Sequence, residues 1–589
     1  MKKALSLILA AIMSASVLAG CTTLEGDDKG AIIDMYLTTE VYDFDPQSSI
    51  IDDAQLKALR LCWEGLTTID ENGKWQKALM KNYSVEVDDG ESFSIIVNLK
   101  DTRWSDGRTV QAADFVYSWK RLLEAEAPHE AAALLYDIKN ARDIKMGDAT
   151  IDDLGVAAVD TYVLQIEFEE KIDLTRFFEN CSSLALVPLR EDVITRYGED
   201  VWGKKAATIV TNGPFQPREL TEGKDGEDGD AIMRLERSAY YYLDPEKEEA
   251  LDKYVIPFRL LTNYSTGDAS AQLAAYEEGK IFYNGEIPMD KRAELKDSAV
   301  ITDMMTTHTY VFNTKNPLFE KAEVRRALSM ALDRVTMAEI AVYADPAAGY
   351  IPGKVLDTAK GTSFRQVGGE LISAQADAAG AKALLQSAGV TGGSFTITVR
   401  GDNPVDLALA DYVKGVWTGL GFDVTVEAAE VDPEGAYVDD DYYAVDDHQA
   451  KYDSGEFDVI AIDMNMLSPD AFGALAQFSA VFSGNGVDMN SETYDVYTHV
   501  SGYSDADYDA LIESAFAEKD TAKRAEILHQ AEAKLLEDMP VCPVIFVKDA
   551  YLASDELSGI SSDYYGARDF KDTKLKDYMT YKALTETAE

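Results

Sequence analysis

The 589-residue chain is poor in positive charge. It contains 55 lysines and arginines against 105 aspartates and glutamates, which gives a net charge of −50 at pH 7. Nucleic acids are bound by basic surfaces that neutralise phosphates, and anionic membranes attract clusters of basic residues. The composition therefore argues against nucleic-acid binding and against a flat association with an anionic membrane. It indicates an acidic, well-solvated surface that keeps the chain in solution.

Residues that hold metals or act as nucleophiles are also scarce. The five histidines are scattered, and the sequence has no HxxxH, HExxH, CxxC, GxSxG or P-loop pattern. Cys62, Cys181 and Cys542 lie far apart among apolar neighbours, so we expect buried free thiols, with one disulfide as the alternative. Acidic residues are too numerous for any pair to identify a catalytic site. We therefore predict no cofactor, no metal site and no catalytic residues.

Long apolar runs are absent except at the N-terminus. Two lysines precede a short apolar stretch, too short to span a bilayer, that ends in Leu18-Ala19-Gly20-Cys21. This ending resembles the lipobox of bacterial lipoproteins. It implies that residues 1–20 are a signal peptide, that Cys21 carries the lipid, and that residues 21–29 form a polar tether. The alternative is an ordinary secretory signal with an incidental cysteine.

Strand and helix patterns alternate along the rest of the chain. Residues 92–99 alternate in polarity and predict a strand, whereas apolar residues at helical spacing predict helices over 112–123, 322–342 and 521–538. This mixture indicates α/β lobes, and the length exceeds what one core supports. Segments 222–230 and 430–447 are predicted to be acidic surface insertions.

A series of short motifs follows in a fixed order. They are WEGL at 63–66, WSDG at 104–107, DFVYSWKRL at 114–122, TNGPF at 211–215, FNT at 312–314, VRRAL at 324–328, FDV at 457–459, PDAF at 469–472 and DMPV at 538–541. Their order and spacing resemble the peptide/nickel-type (family 5) extracellular solute-binding proteins of ABC transporters, and oligopeptide-binding lipoproteins in particular. The resemblance covers nearly the whole chain after the N-terminal segment.

The resemblance implies an α/β, two-lobed periplasmic-binding-protein-like fold of class II type, with an accessory subdomain in lobe one. Crossing strands should join the lobes as a hinge, one of them near 309–314. The expected boundaries are lobe I at 30–65, 190–300 and 550–589, the accessory subdomain at 66–189, and lobe II at 301–549.

The resemblance also implies where a ligand lies. In peptide-binding relatives an extended peptide pairs with the protein main chain between the lobes, and a carboxylate holds the ligand's ammonium group. Relatives place that aspartate four residues before the proline of the PDAF loop, where this chain has Asn465. Asp463 lies one strand repeat earlier on the same side, so either residue is the candidate anchor. The alternative is that Asp463 caps a turn or faces solvent. The other candidate ligand-binding positions are Ile50, Ile51, Asp52, His129, Tyr283, Asn284, His308, Thr309 and Tyr310.

The predicted function is the extracellular capture of short peptides and their delivery to an ABC importer. The implied partners are a short peptide and the permease subunits. The protein is expected to act as a monomer, lipid-anchored on the outer face of the cytoplasmic membrane, at the bacterial cell surface or in the periplasm. One alternative is the same scaffold with an oligosaccharide, a chelated metal or a signalling peptide as ligand. A more remote alternative is a secreted hydrolase, which would need a nucleophile with a base or a carboxylate pair.

Overall fold

The computed structural model describes residues 31–576 except for 40, 42, 49–50, 91, 125–128, 200, 222–231, 242–256, 258, 264–268, 358–360, 439–440 and 487–497. Cys21, Ile50 and the predicted insertion at 222–230 lie outside the described residues. The other predicted insertion, at 430–447, contains a two-stranded hairpin and the start of a helix.

Helices are spread along the whole of the described chain. They are α1 Asp53–Cys62, α2 Ala112–Leu123, α3 Ala141–Lys145, α4 Leu174–Asn180, α5 Glu191–Tyr197, α6 Ala269–Glu277, α7 Arg292–Leu295, α8 Ala322–Met330, α9 Arg334–Ala341, α10 Phe364–Gly368, α11 Ala378–Ser387, α12 Pro404–Gly419, α13 Asp447–Ser454, α14 Ala471–Ala476, α15 Ala506–Ala517 and α16 Thr521–Asp538. Short 3-10 helices occur at Glu130–Leu135, Ile151–Asp153 and Leu184–Leu186.

Strands alternate with these helices. They are β1 Ile32–Tyr36, β2 Thr67–Ile69, β3 Trp75–Lys77, β4 Met80–Asp88, β5 Phe93–Leu99, β6 Val156–Asp160, β7 Val163–Phe168, β8 Phe215–Thr221, β9 Ile232–Arg237, β10 Arg259–Asn263, β11 Tyr283–Asn284, β12 Val300–Phe312, β13 Ala344–Pro346, β14 Leu356–Asp357, β15 Thr362–Ser363, β16 Ser394–Arg400, β17 Asp423–Ala429, β18 Val431–Val438, β19 Asp441–Asp446, β20 Val459–Asn465, β21 Val541–Ala553, β22 Leu557–Ser558, β23 Ser561–Ser562, β24 Arg568–Asp569 and β25 Lys574–Leu575.

Two long antiparallel strands, β12 and β21, join the two halves of the main sheet. The strand order is β17-β16-β20-β12-β21-β11-β1-β10-β9-β8, with β13 also pairing with β21. The second half of β12 pairs with β20, whereas the end of β21 pairs with β11 on the other side. The register of β12 and β21 shifts twice, between Asp303 and Thr307 and between His308 and Thr309. The predicted crossing strand is therefore present, and its two irregular points lie before the predicted 309–314 and at the start of that segment.

Each half of the molecule contains its own cluster of packed aromatic side chains. In lobe I, Trp63 forms T-shaped aromatic pairs with Trp104 and Trp202. The ring centroids are 6.1 Å apart in the first pair and 6.3 Å apart in the second. In lobe II, the fully buried Trp417 of α12 lies against Tyr310 at 5.9 Å. Large buried aromatic rings contribute strongly to core stability because each removes a large apolar area from water. The two aromatic clusters lie in the two halves that β12 and β21 join, and the α/β fold is two-lobed, as predicted.

A separate antiparallel sheet follows the first motifs, in the order β4-β5-β7-β6. Helix α2 packs on it, with Phe115 and Trp119 fully buried, and the indole of Trp119 donates to the carbonyl of Leu186 at 3.1 Å. We propose that this sheet and its helices are the accessory subdomain expected at 66–189.

The predicted helix over 322–342 is wrong as a single element. The structure divides it into α8 and α9, because the carboxylate of Asp333 accepts a hydrogen bond from the backbone N–H of Thr336 at 2.9 Å and begins a new helix. The helices predicted at 112–123 and 521–538 are present with those bounds, and the strand predicted at 92–99 spans Phe93–Leu99.

The sequence motifs fix close contacts of the scaffold. Gly213 lies so near the end of α1 that an added Cβ would come within 2.5 Å of the carbonyl group of Cys62. The side-chain amide of Asn212 binds the backbone of Glu64 through both its nitrogen and its oxygen. Cys62, Cys181 and Cys542 are free and buried, as expected. No helix among the described residues combines the length and apolar character needed to cross a membrane.

Candidate ligand-binding site

The cleft between the lobes is closed by direct contacts. The side-chain amide of Asn465 on β20 donates to the carbonyl of Ile51 at 2.7 Å, just before α1. Nearby, Arg400 of lobe II lies 3.5 Å from the carboxylate of Asp52. Because Ile51 and Asp52 belong to the opposite lobe, these contacts hold the two lobes together across the cleft.

Asp463 is held by a histidine on the neighbouring crossing strand. His308 and Asp463 are paired between β12 and β20, and Nδ1 of His308 lies 2.7 Å from Oδ1 of Asp463. A second carboxylate, that of Asp406 on α12, lies 3.8 Å from the same nitrogen. Burial lowers the pKa of His308, but the charge of Asp406 and the hydrogen bond to Asp463 outweigh it and raise that pKa to about 8. Burial raises the pKa of Asp406 to about 7, against the opposing charge of His308.

The lobe I wall of the cleft carries a buried lysine surrounded by carboxylates. Lys57 of α1 lies 2.6 Å from Asp53, 3.1 Å from Glu286 and 3.3 Å from Asp549. Asp549 in turn lies 2.8 Å from the buried Arg568. A buried charge requires such partners because removal from water is costly. This network fixes the carboxylates along one side of the cleft.

A cavity of about 420 Å³ lies between these two groups of charges. Its wall includes Asp52, Asp53, Lys57, Glu286, His308, Arg400, Asp402, Asp406, Asp463 and Asp549. A smaller cavity of about 60 Å³ lies beside Asn465 and is mainly apolar. Its wall includes Ile51, Leu56, His129, Met305, Met464, Met466, Leu467 and Tyr565. Asp463 and Ile51 line both cavities, so the two spaces meet at the bridge between the lobes.

The structure brings six of the predicted ligand-binding residues to these cavities. Ile51, Asp52, His308, Asp463 and Asn465 lie at the cleft. His129 lines the smaller cavity, where its Nδ1 accepts from the backbone N–H of Ala131 at 3.1 Å and burial lowers its pKa to about 3.

Four predicted residues lie away from both cavities. Tyr283 is buried and stacks on Tyr551, with ring centroids 5.0 Å apart, and Asn284 donates to the backbone carbonyl of Glu286 at 3.0 Å. Tyr310 lies two residues beyond His308, inside the lobe II core against Trp417. Thr309 is fully buried as well. These side chains support the strands beneath the site, and neither wall described above contains them.

Sequence reasoning missed most of the charged residues of the larger cavity. Asp53, Lys57 and Asp549 come from helix α1 and from the crossing strand β21, and Asp406 comes from the first turn of α12. The one local signal for these charged residues was that Asp53 directly follows Asp52, which is a predicted ligand-binding residue. Within the described residues no set of three or more histidine, cysteine or acidic side chains is arranged to hold a metal ion.

The structure has two lobes that are joined by crossing strands and separated by a closed polar cleft. This arrangement is that of a protein that binds a solute between its lobes. Residues 74–486 match the family model described as bacterial extracellular solute-binding proteins, family 5 middle. The chain belongs to this family, and the prediction made from its ordered motifs is confirmed.

The chain is similar to named relatives over almost all of its length. It is 25% identical to the dipeptide-binding protein DppE of Bacillus subtilis, covering 94% of this chain and 96% of the relative. It is 24% identical to the oligopeptide-binding protein OppA of the same organism, covering 98% and 100%. Among solved structures, Listeria monocytogenes OppA bound to peptide aligns with a TM-score of 0.73 at 19% identity, covering 93% of this chain and 99% of that one.

Proposed function

We propose that this protein captures short peptides outside the cytoplasm and delivers them to an ABC importer. The observation that carries the proposal is the closed cleft, in which strand β20 of lobe II faces the segment before α1 of lobe I. The relatives described above include a dipeptide-binding and an oligopeptide-binding protein. An extended peptide can use the main chain of such strands for hydrogen bonds while roomy pockets accept its side chains.

Asp463 is the proposed anchor for the ammonium group of the peptide. Its side chain is 27% exposed, although His308 holds one of its oxygens. Asn465 is neutral, and both ends of its amide already bind protein groups, namely Thr306 at 2.7 Å and the carbonyl of Ile51. A charged partner binds an ammonium group more strongly than a neutral one. The structure therefore favours Asp463 over Asn465 for this role.

The remaining parts of the proposal concern location and partners. The apolar N-terminal run ending in Cys21 supports a lipid anchor on the outer face of the cytoplasmic membrane, followed by the tether at 21–29. A monomer with the lobe boundaries given above would present its closed lobes to the permease subunits. The family match supports an extracytoplasmic location.

Native mass spectrometry of the purified protein tests the proposal. Peptides of a few residues should be released from it on denaturation, and the same synthetic peptides should bind again with a 1:1 stoichiometry in calorimetry. A bound oligosaccharide or metal chelate, or a ligand that the protein cleaves during incubation, would contradict peptide capture.

A further inference from the structure

Helix α1 presents a different face to each of the two cavities of the cleft. Asp53 and Lys57 line the larger cavity, whereas Leu56 and Arg60 line the smaller one. The residues of each pair are four positions apart, so their side chains lie on the same face of the helix. The larger cavity therefore receives a charged face of α1, and the smaller cavity receives a neighbouring face that begins with a leucine.

The wall of the smaller cavity is mainly apolar. Its apolar residues are Pro46, Ile51, Leu56, Leu184, Ala185, Met305, Ile462, Met464, Met466 and Leu467. Methionine side chains adapt to apolar partners of different shape, because they are unbranched and flexible. Two polar groups of the wall are already bonded within the protein. Oγ1 of Thr306 donates to the amide oxygen of Asn465 at 2.7 Å, and the hydroxyl of Tyr565 lies 2.8 Å from that of Ser182.

Arg60, which also lines the smaller cavity, already has partners. Its guanidinium carbon lies 3.9 Å from the centroid of the Tyr565 ring, and its Nε lies 3.6 Å from the carboxylate of Asp563. A cation over an aromatic ring is stabilised by the negative face of the ring. Asp463, at the other end of the wall, is the proposed partner of the ligand's ammonium group. Neither charge is therefore left for a charged side chain of the ligand.

His129 and Glu130 add little charge to this wall at mildly acidic pH. Burial lowers the pKa of His129 to about 3 and raises the pKa of Glu130 to about 7, so at pH 6 the first is neutral and the second is mostly protonated. Moving a charged group out of water is costly unless a partner replaces the water, whereas an apolar group gains free energy by leaving water. The wall therefore suits an apolar side chain better than a charged one.

We propose that the smaller cavity binds an apolar side chain on the first residue of the peptide, so that this protein selects peptides that begin with a residue of about the size of leucine or methionine. This inference rests on the proposed function, because it assumes that the solute is a peptide whose ammonium group is held by Asp463. Asp463 lines both cavities. The first side chain is attached to the carbon atom that carries the ammonium group, so it enters a cavity beside Asp463.

The sizes of the two cavities assign the parts of the peptide to them. The smaller volume of about 60 Å³ is roughly four to six times the ~10–15 Å³ that one water molecule requires on the same measure, so it has room for a side chain of a few carbon atoms. The larger cavity, of about 420 Å³, has room for the remaining residues. The first side chain therefore occupies the smaller cavity, and the rest of the peptide occupies the larger one.

Matched synthetic peptides test the inference on the wild-type protein. Each residue of tri-alanine is replaced in turn by leucine, norleucine, lysine or tryptophan, and affinities are measured by calorimetry at pH 6. At the first position, leucine and norleucine should bind about tenfold to one hundredfold more tightly than alanine, which corresponds to the burial of about three methylene groups. Lysine, which resembles norleucine in shape but is charged, and tryptophan, which is too large, should lose this gain.

Two variants then assign the preference to the smaller cavity. Ala185→Leu adds volume to its wall and should remove the leucine preference, whereas Leu56→Ala enlarges it and should improve the binding of tryptophan at the first position. Both residues are buried, and they line the smaller cavity but not the larger one. Thermal unfolding shows whether each variant is folded, and one folded variant is sufficient for the assignment.

Ala379→Leu is the matched control for the variant that adds volume. Ala379 lies on α11, is exposed to solvent and is outside both walls. The same change of alanine to leucine at this position should therefore keep the full leucine preference at the first residue of the peptide.

The possible failures are distinguishable. If leucine and alanine peptides bind equally at every position, or if lysine binds as tightly as norleucine at the first position, peptide capture stands and the apolar pocket is overturned. A leucine preference confined to the second or third position would overturn the placement beside the ammonium group. If the variants leave the preferences for leucine and tryptophan unchanged, the assignment to this cavity is overturned. If no peptide of the series binds, and the ligand released from the purified protein is not a peptide, the proposed function itself fails.

Discussion

Nδ1 of His308 lies 2.7 Å from Oδ1 of Asp463, across a pair of adjacent antiparallel strands. The hydrogen bond fixes one oxygen of the carboxylate and leaves the side chain partly exposed at the cleft. A binding group whose orientation is fixed by a second residue loses little freedom when the ligand arrives. The carboxylate of Asp463 is therefore held in a fixed position and stays partly exposed at the cleft, which suits the capture of a cationic group.

Replacing Asp463 should weaken peptide binding. If its carboxylate holds the ligand's ammonium group, Asp463→Asn should cost about 2–5 kcal/mol, because the ammonium group would remain buried without a charged partner. Calorimetry with the copurified peptide measures this loss, and acetylation of the peptide's N-terminus should produce a similar loss in the native protein. The conservative His308→Gln variant should cost less, because it leaves the carboxylate in place. Unchanged affinity in both the Asp463→Asn and acetylation experiments would assign the anchor to another residue.

Stability should fall as the pH rises through the titration range of His308. The pKa of this residue is raised from the ordinary 6.5 to about 8, so the protonated form stabilises the fold fully below pH 6.5 and the contribution is lost as the pH passes 8. The contribution is of the order of 2 kcal/mol, because each pKa unit corresponds to about 1.4 kcal/mol. Asp406, whose pKa is raised to about 7, changes stability with the same sign, since its protonated form is favoured in the fold. Urea unfolding between pH 6 and 9 should therefore show a shallower decline for His308→Gln than for the wild type.

His499 provides the control for this pH dependence. Burial lowers its pKa to about 3, so the side chain stays neutral throughout the range from pH 6 to 9. His499→Gln should retain the wild-type slope, even if the variant is less stable overall. Equal slopes for His308→Gln and the wild type would contradict the assignment to His308.

The sequence predicted local elements better than the cavity. Helix α2 was recognisable because Phe115 and Trp119 recur at helical spacing, whereas the division at Asp333 depends on a capping bond that competes with a continuous helical pattern. His308 and Asp463 were both predicted from the family pattern. Their hydrogen bond joins residues 155 positions apart, and only the pairing of β12 with β20 brings them together.

The charged walls could not be predicted for a related reason. Asp53, Glu286 and Asp549 surround one lysine but come from three separate segments of the chain. In a sequence with 105 acidic residues, no local pattern distinguishes these three from carboxylates that face solvent. Their selection depends on the fold of lobe I and on the crossing strand β21.

The pair between Asp470 and Arg524 should be essential for stability. Two bonds of 2.7 and 2.8 Å join these buried side chains, and although burial tends to raise the pKa of Asp470, Arg524 holds it below the ordinary value. Arg524→Met should lower the free energy of unfolding by about 3–5 kcal/mol, because it leaves a buried carboxylate unpaired. The double variant with Asp470→Asn should recover part of this loss in a double-mutant cycle.

An exposed ion pair provides the comparison for this prediction. Lys171 and Asp88 lie 2.6 Å apart, but their side chains are 65% and 39% exposed. Lys171→Met should therefore cost about 0–1 kcal/mol in the same unfolding experiment. Equal costs for the buried and the exposed pair would contradict the structural role given to Asp470 and Arg524.

Replacing Cys21 should release the protein from the membrane. The motive is the Leu18-Ala19-Gly20-Cys21 ending after a short apolar run. Fractionation of cells expressing Cys21→Ser should place the protein in the soluble fraction, because the thiol that would carry the lipid is missing. Cys62→Ser is a control that should leave the membrane fraction unchanged. A Cys21→Ser protein that stays in the membrane fraction after a salt wash would contradict the lipid anchor.

Closure of the lobes should depend on Asn465 and on the ligand. The lobes are joined by β12 and β21, and the amide of Asn465 bridges them by binding the carbonyl of Ile51. Asn465→Ala removes this bridge and should shift the population toward an open form, so small-angle scattering should give a larger radius of gyration than for the wild type. Glu513→Gln is the control, because the ion pair of Glu513 with Arg142 joins the lobes at an exposed surface, so its loss should have little effect on the radius of gyration.

Added peptide should compact the Asn465→Ala variant again and raise its melting temperature with peptide concentration, since only the folded state binds the peptide. Chromatography after long incubation should recover the peptide intact. A radius that responds to neither the variant nor the peptide would contradict the hinge.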